Sequence, residues 1–216
     1  MFNSLSSFVL SLLPLALVVS AARANETFPG VQRPVCPEST QLALNQCAYE
    51  WDQATLAQRR QVYDSLEATL SAPEQEALAT AEASWQAFES TYCALRSERY
   101  RGGSIYPLTL YSCRATRNNE RTVALTQWQP EDAPFPDYFT LLPQLEAAYE
   151  SAVVGSSPRE LAALPGHQAL WETYRDQHCA WEMSQISDGV TPESSEQLNR
   201  CFTRLTLQRM QQLRFL

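Results

Sequence analysis

One spacing pattern occurs twice in this chain. Trp85-x2-Phe88-x4-Cys93 is followed by Cys113, Arg121 and Leu125, and Trp171-x2-Tyr174-x4-Cys179 is followed by Cys201, Arg209 and Leu213. The Trp-to-Cys step is eight residues in both copies, and the steps from the second Cys to Arg and to Leu are eight and twelve in both. Only the spacer between the cysteines differs, at nineteen and twenty-one residues. Matched spacing of this kind implies two copies of one cysteine-stapled helical unit. The chain is therefore a disulfide scaffold before it is anything else.

Six cysteines allow fifteen pairings. If the two units are equivalent, Cys93–Cys113 and Cys179–Cys201 are the matched pairs, and Cys36–Cys47 remains to pair with itself. A metal site is not expected, because the chain has no C-x2-C step and only His167 and His178 as further ligands. No cofactor is expected either. The start of the chain reads as an export signal. An apolar run from Phe8 to Ser20 is too short to span a bilayer, and Ala22-Arg23-Ala24 forms a small-x-small cleavage site. Residues 1–24 are thus assigned to a signal peptide, with a mature start near Asn25 in the periplasm or outside the cell. No Lys or Arg precedes the apolar run, so an uncleaved membrane anchor is the alternative. Export matches the cysteine count, since bridges persist in oxidising compartments.

The net charge is −8, and all sixteen basic residues are Arg. Nucleic acid and anionic lipid are poor partners for such a chain, whereas a basic protein would be attracted to it.

Apolar periodicity predicts an all-α fold of antiparallel helical hairpins stapled by disulfides, in two related units. Ser39 is the expected N-cap of a first helix running to about Leu70, with Leu44, Ala48, Trp51, Val62, Leu66 and Leu70 on its apolar face. Pro73 suits the first turn of a second helix. That helix carries Leu78, Ala81, Trp85, Phe88, Tyr92 and Leu95 at steps of three and four, an amphipathic stripe. An Arg-rich helix is expected over 111–127. Residues 129–143 hold four prolines and read as a surface linker. Helices near 140–153, 159–183 and 193–214 build the second unit, with Trp171, Tyr174, His178 and Trp181 on the equivalent stripe.

With its N-terminal flank, the first unit resembles a known family. The run Cys36-Pro-Glu-Ser-Thr-Gln-Leu-Ala-Leu-Asn-Gln-Cys47 precedes a helical stretch, Trp85…Cys93, Gly102-Gly103-Ser104, Cys113 and Arg121. This pattern is similar to the LprI-type lysozyme inhibitor N-terminal domain. The resemblance covers residues 36–128 as one full copy and 144–214 as a partial one. Glu89 and Asn118 depart from the family pattern, and Arg175 and Thr206 restore it in the second copy. The second copy also lacks the first cysteine pair and the Gly-Gly-Ser loop. The resemblance implies a non-enzymatic protein that occludes a muramidase and protects the cell wall.

The residues themselves contain no nucleophile elbow, zinc-protease motif or phosphate loop, so catalysis is not expected. His178 beside Cys179 is not a catalytic pair, because helix neighbours point about 100° apart and a bridged sulfur is no nucleophile. Trp85 and Trp171 read as core. Arg121 and Arg209 read as structural, each fork satisfying helix-end carbonyls or a carboxylate. The partner-binding candidates are Arg101, Gly102, Gly103, Ser104 and Tyr106. Glycines let the backbone approach another surface, and Arg and Tyr are enriched at binding hot spots. The expected partner is a protein, a lysozyme first. A periplasmic adaptor or scaffold without lysozyme activity is the alternative, and a redox role is disfavoured because the cysteines are structurally paired.

Overall fold

The computed structural model describes residues 30–37, 39–126, 136–186 and 192–216. The proposed signal peptide and residues 129–135 of the proline-rich stretch lie outside these. Among the described residues the fold consists of six α-helices and contains no strand. They are α1 (Gln41–Glu67), α2 (Ala72–Ser97), α3 (Tyr106–Thr126), α4 (Tyr138–Gly155), α5 (Pro158–Ser184) and α6 (Pro192–Leu213).

Local chemistry sets the helix starts. Thr40, not Ser39, caps α1, its Oγ1 accepting from the Ala43 N–H at 3.2 Å. Helices α2 and α5 begin at the same point of the repeat. Glu74 accepts from the Ser71 N–H and Glu160 from the Ser157 N–H, each at 2.7 Å, the reciprocal arm of a capping box. Helix α3 starts five residues earlier than periodicity suggests, at Tyr106. Pro107 falls in its first turn, where a missing N–H costs no internal bond. The helix expected near 140–153 begins at Tyr138 and contains Pro143, so it takes the last residues of the stretch read as a linker. Asp137 caps this helix through the Phe139 N–H at 3.1 Å. Pro143 forgoes one backbone bond near the helix start, a loss the capped helix tolerates.

Each unit is a set of three helices. α1 lies along α3 and α4 along α6, while the middle helices α2 and α5 face each other across the molecule. The closest partners are therefore not consecutive helices. The reason lies in the repeat, since α2 and α5 carry the two apolar stripes and bury them against one another. Phe88 stacks on Tyr174 with ring centroids 5.9 Å apart and planes within 5°. Tyr92 stacks on His167 early in α5, while Leu78 and Ala81 cluster with Trp181 late in α5, so the pair is antiparallel.

The bridges are Cys36–Cys47, Cys93–Cys113 and Cys179–Cys201. The second joins α2 to α3 and the third joins α5 to α6. Loops of this length stabilise a fold by roughly 3 kcal/mol each in the chain-entropy model.

Candidate partner-binding end

The interior between the units is polar in its middle, and this bears on which residues are free to act. Arg121 and Arg209 are almost fully buried. Arg121 donates to Glu82 Oε2 at 2.9 Å and to His178 Nδ1 at 3.0 Å. Arg209 donates to Gln168 Oε1 and, at 3.0 Å, to His167 Nε2. Glu82 and Gln168 occupy the same place in the repeat, three residues before Trp85 and Trp171. Each guanidinium also lies over the Trp of its own unit and an aromatic of the other: Trp85 and Tyr174 for Arg121, Trp171 and Phe88 for Arg209.

A guanidinium can only donate, so the contacted nitrogen of each histidine must accept. His178 therefore carries its proton on Nε2, facing Glu182 Oε1 at 3.0 Å. His167 carries it on Nδ1, facing Thr91 Oγ1 at 3.0 Å. Burial pushes His178 down to about 4 and His167 to about 3, and each buried arginine opposes protonation further. Burial alone would raise Glu182, but His178 and Arg204 hold it down at about 2. Arg59 also pairs with Glu82, so polar contacts run from α1 through α2 and α3, by way of neutral His178 and then Glu182 of α5, to Arg204 of α6. Trp85, Trp171, Arg121 and Arg209 thus all serve the interior. Arg121 meets a carboxylate and Arg209 a side-chain amide. A cleft of about 310 Å³ between α1 and α2, lined by Arg59, Arg60, Tyr63 and Glu82 among others, opens over the Arg59–Glu82 pair.

The Gly-Gly-Ser segment is placed differently. After α2 the chain makes a 3₁₀ turn at Glu98–Tyr100, then an exposed turn over 101–105 into α3. Gly102 has φ +81°, a conformation that costs other residues energy. A Cβ on Gly103 would meet the Tyr100 carbonyl oxygen at 3.2 Å. The Gly103 N–H donates to that oxygen at 2.9 Å. Cys93–Cys113 closes the base of the turn. From α1, Asn45 Nδ2 donates to the Ser104 carbonyl at 2.9 Å, and Cys36–Cys47 anchors the chain beside that contact. Arg99 donates to the Leu216 backbone oxygen at 2.8 Å.

Arg101, Gly102, Gly103 and Ser104 lie in this turn, and Tyr106 opens α3 directly after it. Arg101 lies over the Tyr106 ring at 5.6 Å and donates from Nε to Glu98 Oε2 at 2.5 Å. That hydrogen bond, with the cation beside it, lowers the Glu98 pKa. Tyr100 and Ile105 are exposed on either side. The result is a held cation in an exposed setting with an apolar rim. Periodicity does not reveal Asn45, Glu98, Arg99 or the chain around Leu216 as supports. The i, i+3 step from Glu98 to Arg101 is the one local signal of these contacts.

The sequence model of one family, described as lysozyme inhibitor LprI, matches residues 36–125 and again 138–213. The chain belongs to the lysozyme inhibitor LprI family. Its LprI repeats are one full and one partial copy, and the second match takes in α4, six residues before the start expected from the sequence. The LprI description is of inhibitors and not of enzymes, and a protein such as a lysozyme is the kind of partner it suggests. The bridges suit an oxidising environment. No helix among the described residues is long and apolar enough to cross a membrane. No curated protein and no solved structure matches the chain.

Proposed function

We propose that this protein is an exported inhibitor that blocks the cleft of a lysozyme and so protects the cell wall. The observation that carries the reading is the Arg101 turn, an exposed cation held by Glu98, two glycines, Asn45 and the Cys93–Cys113 bridge. A lysozyme cleft works with two carboxylates, for which a guanidinium is a fitting plug. A turn already ordered loses less entropy on binding. The net charge of −8 assists the encounter with a basic enzyme, while local positive charge completes the fit. Delivery would use residues 1–24 as a cleaved signal, giving a lipid-free mature chain beginning near Asn25, which mass spectrometry of the exported protein would read.

The test is inhibition of cell-wall turnover by a purified lysozyme. Arg101→Ala should weaken inhibition more than tenfold and leave helical circular dichroism unchanged. Contacts of this kind cost about 2–5 kcal/mol to remove when buried at an interface. Equal inhibition by the variant would eliminate the turn as the plug. A wild-type protein that slows no lysozyme would favour the adaptor reading.

A further inference from the structure

The Arg101 turn belongs to the first unit, yet its charge balance is completed by the second. Glu98 presents two carboxylate oxygens. Oε2 accepts from Arg101 of the same turn at 2.5 Å, and Oε1 faces Arg159 Nη1 of α5 at 3.5 Å. The carboxylate itself is sheltered, with its side chain 13 % exposed, while the Arg101 side chain is 51 % exposed and that of Arg159 79 %. Two outward guanidiniums therefore flank one inward carboxylate. Both lower the Glu98 pKa, Arg101 more than Arg159.

Arg159 is carried on a firm base. It is the second residue of α5, whose first turn is closed by Ser157 and Glu160. The corresponding position of the first unit is Pro73, so the arginine is not part of what the two copies share. The residues that follow the second unit also brace this end from another side. Arg99 donates to the Leu216 backbone oxygen, and Arg96 lies over the Phe215 ring at 5.2 Å. Four arginines, at 96, 99, 101 and 159, thus collect at one end of a chain whose net charge is negative.

We infer that Arg159 is a second cationic anchor of this end, so that the second unit takes part in binding and the partner's site presents paired acidic groups that meet Arg101 and Arg159 together. This rests on the lysozyme reading above and adds to it a contact from the other half of the molecule. The paired guanidiniums fit a cleft with two carboxylates better than a single cation would, because each acid then gains its own charge-assisted donor.

The experiment compares wild type, Arg101→Ala, Arg159→Ala and the double variant as inhibitors of a purified c-type lysozyme on labelled cell walls, with association and dissociation rates at low and moderate salt. Arg159→Ala is expected to weaken inhibition at least fivefold, mainly by speeding dissociation, because the negative net charge that steers the encounter is kept while a contact that completes the fit is lost. It should leave the association rate and the melting temperature close to wild type. The double variant should lose less than the product of the two single losses, since neighbouring sites couple. If Arg159→Ala inhibits like wild type while Arg101→Ala is impaired, the second-unit role is overturned and the lysozyme reading stands. If wild type slows no c-type lysozyme, both fall.

Discussion

Replacing Glu89 with Gln should stabilise this protein by an amount that grows with pH. Glu89 lies on α2, half-buried, and its Oε1 is shielded from solvent without a hydrogen-bond donor among the described residues. Burial pushes its pKa from 4.5 up to about 7; Arg114, Arg59 and Arg117 pull against this, while Asp52 adds to it. The folded-state value lies above the unfolded one. Between pH 4.5 and 7 the native protein therefore keeps a proton that the unfolded chain has released. The stability this confers is complete below pH 4.5 and is lost as pH rises through 7. A rise from 4.5 to about 7 corresponds to about 3 kcal/mol. Gln keeps the shape of the neutral acid and cannot ionise. The difference in unfolding free energy, Glu89→Gln minus wild type, should be near zero at pH 4.5 and reach about 3 kcal/mol by pH 8. Urea unfolding at a series of pH values measures it. His167 and His178 depend on pH with the opposite sign across part of this window, but they are common to both proteins and cancel in the difference. A difference that stays flat between pH 5 and 8, or a variant less stable than wild type at pH 8, would refute the reasoning.

Glu82→Ala should destabilise the fold by about 3–5 kcal/mol in chemical unfolding, because Arg59 and Arg121 would both lose the carboxylate they share in the interior. Both histidines should remain neutral, so imidazole resonances followed by NMR should show no inflection between pH 5 and 8. Their folded pKa values lie below the usual 6.5, so the stability they confer is lost as pH falls from 6.5 through about 4 for His178 and about 3 for His167. Removing the Cys93–Cys113 bridge by double substitution to Ser should cost about 3 kcal/mol in unfolding experiments. It should also weaken inhibition in the lysozyme assay, since the bridge closes the base of the Arg101 turn.

Much of the architecture is legible in the sequence. The all-α class and the two related units follow from the doubled Trp–Cys–Cys–Arg spacing. The helix stripes follow from steps of three and four. The errors were local. Pro143 falls both in the expected linker over 129–143 and in the helix expected near 140–153, because a proline near the start of a capped helix looks the same in sequence as one in a loop. The start of α3 lies five residues before the expected one, because Pro107 occupies its first turn, where periodicity carries no signal. The paired Ser71–Glu74 and Ser157–Glu160 caps, and the paired Glu82 and Gln168, were present at repeat spacing and readable there. Of the candidate binding end, the Gly-Gly-Ser turn and Arg101 can be found from residue type and position.

What the sequence by itself determined is whatever depends on near neighbours along the chain: helix periods, caps, the glycine turn and bridges within one unit. Only the tertiary structure decided that α2 meets α5, that Arg121 reaches His178 and Arg209 reaches His167, and that Arg159 arrives beside Glu98. The physical reason is that these contacts join residues forty or more positions apart. No local preference selects them. They form because the two apolar stripes must be buried together, and burying them leaves each guanidinium inside to find an acceptor or at the rim to find a partner.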